Sequence, residues 1–149
     1  NIIHHINFAI RIKKICYISL NQEETMSNDT VFTNNFDTSS KILTGKIELS
    51  NMEKDDAKLI YDLTVEGLQK YPEYSDYILD ASSVTEVTIA SFGYLMKALG
   101  TVKKTAGYMI LVLKEEILQK FMITNPEMFD FYAVFFNIDD AVKYIKSKR

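Results

Sequence analysis

This 149-residue chain predicts an α/β fold: a mixed, mostly parallel sheet of four to five strands with about four helices packed on it. Three features carry that expectation. Short apolar runs alternate with longer segments of three- and four-residue periodicity, as strands alternate with helices on a parallel sheet. Two runs, YILDAS (77–82) and YMILVL (108–113), are apolar almost throughout rather than at every second residue, the pattern of strands covered on both faces. The apolar fraction, 47%, suffices for one domain of this length to bury a core.

Residues 27–40 are polar except Val31, Phe32 and Phe36, which predicts a short edge strand and a turn. KILTGKIELS (41–50) reads as a clearer strand, with Gly45 as a bulge or twist point. From Glu53 to about Tyr71 the period becomes helical: Ala57, Ile60, Leu63, Thr64 and Leu68 share one face. Asn51 is the expected cap, Glu53 and Asp55 make an acidic first turn, and Pro72 stops the helix. The run at 77–82 is a strand ending in Asp80. Phe92, Leu95, Met96, Leu99 and Val102 mark a second helix, and Gly107 ends the connection to the run at 108–113, expected as the central strand. A third helix turns Ile117, Leu118, Phe121 and Met122 to one side, and Asn125-Pro126 breaks it. FYAVFF (131–136) is the last strand, its aromatics mostly core. In NIDDAVKYIKSKR, Asn137 caps a final helix with Asp140 three residues on, and Ala141, Val142 and Ile145 point inward. The basic residues at 146–149 suit the negative end of that helix.

Composition excludes several functions. The net charge is −3 and the pI about 5.4, whereas nucleic-acid phosphates call for a basic face. No apolar run approaches the roughly 18 residues that span a bilayer. Residues 26–149 contain no His, Cys or Trp, so they hold no Ser/His or Cys/His nucleophile pair and no His/Cys zinc site. No metal, cofactor or enzymatic activity is expected. EKDD (53–56) is expected as a solvated helix start rather than a Mg²⁺ patch. The lone Cys16 rules out an intrachain disulfide, which fits a cytoplasmic protein.

Residues 1–25 stand apart. Arg11, Lys13 and Lys14 interrupt their apolar run, and no small-residue cleavage site follows, so a signal peptide fits poorly. NQEETM can be encoded with a purine-rich AGGAGG just ahead of the Met26 codon, the form of a bacterial ribosome-binding site. We therefore expect 1–25 to be a non-native or disordered extension, with a real amphipathic arm as the alternative, and 26–149 to be the domain.

Four stretches together resemble the STAS domain family, shared by bacterial anti-sigma factor antagonists and the cytoplasmic tails of sulphate transporters. LTGKIELS (43–50) is similar to the family's opening strand, and YILDASSVTEV (77–87) to its buried strand ending in Asp. SFGYLMKAL (91–99) is similar to its helix start, and FYAVFFNIDDAVKYI (131–145) to its closing strand and helix. The resemblance spans about residues 30–147. It implies a non-catalytic regulatory domain that binds protein partners in a partner-switching pathway: an anti-sigma factor that is also a serine kinase, and a phosphatase. The alternatives are a cytosolic subunit of a membrane transporter complex and a nucleotide-binding STAS-like domain; the chain has no Gly-x-x-x-x-Gly-Lys-Ser/Thr loop for the latter.

The family's Asp-Ser-Ser-Gly-Leu-Gly turn, whose second Ser is phosphorylated, falls without gaps on Thr88, Ile89, Ala90, Ser91, Phe92 and Gly93. Alanine stands at the phosphorylated position. The resemblance makes Thr88, Ile89, Ala90, Ser91, Phe92, Tyr94 and Leu95 the candidate partner-binding residues, with Asp80 and Gly93 shaping the turn. Three readings stay open: a docking surface without a switch, a phosphate carried instead by Ser91 or Thr88, or a plain helix start in which Thr88 is the N-cap and Ser91 its partner.

Overall fold

The computed structural model describes residues 31–102 and 107–149, with only the backbone at Met128. The expectations for residues 1–25, and for a start at Met26, lie outside the described residues. In chain order the elements are β1 (Phe32–Asp37), β2 (Ile42–Ile47), β3 (Asn51–Met52), α1 (Lys54–Lys70), β4 (Asp76–Asp80), β5 (Glu86–Val87), α2 (Ile89–Gly100), β6 (Met109–Val112), α3 (Glu115–Thr124), a 3₁₀ helix (Pro126–Asp130), β7 (Ala133–Phe135) and α4 (Ile138–Ser147). The main sheet has the order β1-β2-β4-β6-β7. Only β1 runs antiparallel to its neighbour; the other pairings are parallel. The fold is thus the mixed, mostly parallel α/β arrangement that the alternation predicts.

Side chains that alternate along a strand divide the core in two. Leu43, Ile47, Tyr77, Leu79 and Leu111 face α1 and α2 on one side. Ile42, Ile78, Ile110 and Val112 face Ala141 and Ile145 of α4 on the other. β4 serves both cores and is buried along its whole length, as its unbroken apolar run predicts. It is also the middle strand; the more hydrophobic β6 lies one place off centre, beside β7. Hydrophobicity reports burial on both faces, and both strands have that.

Several local expectations shift. The cap of α1 is Glu53, not Asn51: the Glu53 N–H donates to the Asp56 carboxylate at 3.0 Å. Asn51 is instead drawn into β3, which pairs with β5 as a separate two-stranded ladder. Gly45 is no bulge, since the β1–β2 register is continuous from Asp37↔Ile42 to Phe32↔Ile47. Its role is close approach: a Cβ there would lie 2.4 Å from Phe32 Cζ and 2.7 Å from Tyr77 Oη. Burial pushes the Tyr77 phenol above its ordinary pKa. Met122 points outward, and the inward face of α3 is Ile117 and Phe121. β7 is shorter than expected: Phe131 and Phe136 are exposed, while Tyr132 is buried and its hydroxyl donates to the Leu99 carbonyl at 2.7 Å. At α4 the expected cap forms, with Asn137 Oδ1 accepting the Asp140 N–H at 2.9 Å.

Gly107 and Asp76 tie the sheet's lower edge together. The buried Asp76 carboxylate accepts the Tyr108 N–H at 2.9 Å and the Arg149 guanidinium, which also donates to the Ser40 carbonyl. A Cβ at Gly107 would sit 2.0 Å from the Ser75 carbonyl oxygen and 2.5 Å from Asp76 Oδ1. The first of these is backbone and cannot swing aside. Gly107→Ala should therefore destabilise the fold by about 1–3 kcal/mol, read as a lower denaturant midpoint at unchanged slope.

Candidate functional site

The turn from β5 into α2 is built on hydroxyls and a short ladder. Thr88 is the N-cap, with extended backbone (φ −77°, ψ 159°), and its Oγ1 accepts the Ser91 N–H at 3.2 Å. The Ser91 hydroxyl donates its one proton to the Met52 carbonyl at 2.8 Å. The 2.6 Å contact between Thr88 Oγ1 and Ser91 Oγ is then made by the Thr88 proton. β3–β5 pairing brings Met52 opposite Val87, so the ladder and the Ser91 bond pin the start of α2 to the start of α1. Upstream, Asp80 Oδ1 accepts both the backbone N–H (3.1 Å) and the hydroxyl (2.6 Å) of Ser82 and holds the loop that leaves β4.

These bonds sort the candidate residues into two sets. Ser91 is fully buried and Leu95 nearly so, both on the inner side of α2. On the outer side stand Thr88, Ile89, Ala90 and Gly93, all exposed, with Ile89 at 95% of its full accessibility. Phe92 and Tyr94 are half-buried. The Phe92 ring packs on Phe121 of α3 at 4.5 Å between centroids. A Cβ at Gly93 would meet nothing within 4 Å among the described residues, which leaves the outer face of the first turn open there.

Between the first turn of α2 and α3 runs an apolar groove of about 430 Å³. Val87, Phe92, Ile117 and Phe121 form its floor, with Ile89 on one rim and Ile123, 83% exposed, on the other. Among the described residues its one charged lining residue is Lys120. A smaller hollow of about 200 Å³ continues along α2, lined by Met96, Leu99, Glu127 and Tyr132, and Asn125 belongs to both. The α3 side of this surface is absent from the sequence expectation. The signal for it was present: Ile123 is apolar but falls off the Ile117–Phe121 stripe, which marks it as outward-facing.

A polar cleft of about 390 Å³ lies on the opposite face, between β1–β2 and α4. Its carboxylates are already engaged: Asp80 by Ser82, and Asp37 by the hydroxyls and amides of Ser39 and Ser40, which hold Asp37 well below the usual carboxylate range. Among the described residues no cluster of three or more His, Cys, Asp or Glu could hold a metal ion, and no helix is long and apolar enough to cross a membrane.

No protein-family model matches the chain, and no curated protein matches it by sequence. Solved structures do match its fold. One is the phosphorylated form of the Bacillus cell fate determinant SpoIIAA, with a TM-score of 0.55 and 9% identity, covering 76% of this chain and 98% of that one. At that identity the likeness is one of fold, and the chain has a STAS-like α/β fold.

Ser91 can be tested as a structural hydroxyl. Ser91→Ala should cost about 1–2 kcal/mol through the lost bond to the Met52 carbonyl. Ser91→Asp, which forces a charge into the same buried place, should cost more than about 3 kcal/mol. Urea unfolding of both variants checks the order.

Proposed function

We propose that this chain is a non-catalytic, protein-binding regulatory domain of the anti-sigma factor antagonist kind, working in the bacterial cytoplasm through the surface that begins at Thr88. The observation that carries the reading is Ile89. A large aliphatic side chain stands almost wholly in water at the rim of an apolar groove. Covering such a side chain is worth about 1.5–3 kcal/mol, and a protein partner supplies the cover.

The proposal extends to regulation: docking here lacks the usual phosphate switch. Ala90 occupies the outer face of the first turn and has no hydroxyl. The Ser91 hydroxyl is turned inward, and the Thr88 oxygen is occupied as the cap. A phosphate on either would break the hydrogen bonds that shape the turn, rather than add charge to a surface that keeps its form. A kinase-type anti-sigma factor fits this surface as a binding partner; a phosphatase would find nothing to remove.

Ile89→Glu is the discriminating variant, because Ile89 makes little contact with the fold whereas Phe92 is packed on Phe121. Affinity purification from the source cells should recover a specific partner with the parent chain and lose it with Ile89→Glu, at a thermal midpoint unchanged within a few degrees. Recovery of the same proteins by both chains would remove the turn from the binding face.

A further inference from the structure

We infer, resting on the docking reading above, that the occupant of the surface beside α2 is an amphipathic helix of about three turns carrying two opposite charges about two turns apart. Its shape follows from the walls. The groove at Phe92 and the hollow at Leu99 lie along the same helix and share Asn125, so together they form one trough beside α2. α2 has 12 residues and is therefore about 18 Å long, the length of a helix of a little over three turns.

The walls also exclude an extended peptide. The groove is flanked by α2 and α3, whose central backbone groups are bonded within each helix, and the hollow by α2 and the 3₁₀ helix with Phe131 and Tyr132 after it. A strand laid between them would find no edge to pair with and would leave its own amides unbonded over apolar side chains. A helix brings its backbone bonds with it and needs only an apolar stripe to match Ile89, Phe92 and Ile123.

The charges follow from Lys120 and Glu127. Among the described residues, Lys120 is the one charged residue lining the groove, and Glu127 the one charged residue lining the hollow. Both are exposed, and neither forms an ion pair among the described residues. The groove and the hollow, marked on α2 by Phe92 and Leu99, are centred seven residues apart, or roughly 10 Å. An acidic residue opposite Lys120 and a basic one opposite Glu127 are therefore about seven residues apart on the partner helix. The apolar residues lie between and beside them at three- and four-residue spacing.

A display library of helical peptides of about fifteen residues provides the probe. All members share one apolar stripe; at two positions seven apart they carry an acid and a base, two acids, or two bases. Selected against the full chain, the opposite-charge class should be enriched over scrambled controls, and Ile89→Glu should abolish its binding. Lys120→Glu makes both ends of the trough acidic. It should weaken opposite-charge peptides roughly three- to tenfold and shift preference to the two-base class. Both variants lie at exposed positions, and circular dichroism checks that they remain folded.

No enrichment of any helical class, or a charge preference that Lys120→Glu leaves unchanged, overturns the inference. If Ile89→Glu still loses its natural partner in that event, the docking surface stands and only its helical occupant falls. If the natural partner is retained by Ile89→Glu, both fall.

Discussion

The constraint on which the structure depends is the burial of β4 on both faces. A parallel strand with Asp76–Asp80 wholly covered needs a layer of helices on each side, because its hydrogen bonds to β2 and β6 leave only its two faces to be shielded. One layer is α1 and α2, the other is α4. The connection leaving β4 must therefore climb over the sheet's end before α2 can pack. That climb is the loop held by Asp80 and Ser82, followed by the β5 ladder and the Thr88 cap. The exposed turn is a consequence of covering the central strand, and it sits at the strands' C-terminal end, where α/β sheets commonly present their binding groups.

The shape of the turn is also held by its hydroxyls. In a helix start with free hydroxyls, small side chains remain available to solvent or to a modifying enzyme. Here the Ser91 proton goes to the Met52 carbonyl and the Thr88 proton to Ser91, so each donor is spent on shape. What is left outward is hydrocarbon: Ile89, the Ala90 methyl and the edge of Phe92. A surface of that composition gains by exclusion of water, and it presents no group that gains or loses charge near neutral pH.

Much of this was legible in the sequence because it rests on periodicity. The unbroken run at 77–82 signalled burial on both faces, and the Asn137/Asp140 spacing signalled the last helix. The failures have a common cause, in that each depends on a contact distant along the chain. Asn51 loses its cap role because Glu86, 35 residues on, offers a strand partner. Gly45 is small because Phe32 and Tyr77 arrive from two neighbouring strands, not because the strand bulges. The inward turn of the Ser91 hydroxyl, on which the sequence left three readings open, likewise rests on the distant Met52 carbonyl. Within the candidate site, the half on α2 could be read from the turn itself. For the half on α3 the sequence marks Ile123 as outward-facing, but only the fold brings it across from Ile89.

That juxtaposition is what leaves the groove between α2 and α3 open among the described residues. α2 is pinned to the start of α1 through β3–β5 and Ser91, and α3 meets it through the Phe92–Phe121 ring contact. Closing the groove would require α3 to slide toward Ile89. Ile117 and Phe121, both buried against the sheet, would have to leave the core to allow it. The apolar side chains that remain, Ile89 and Ile123, are thus held apart by the same packing that stabilises the fold. Their exposure is built into the packing of the described residues.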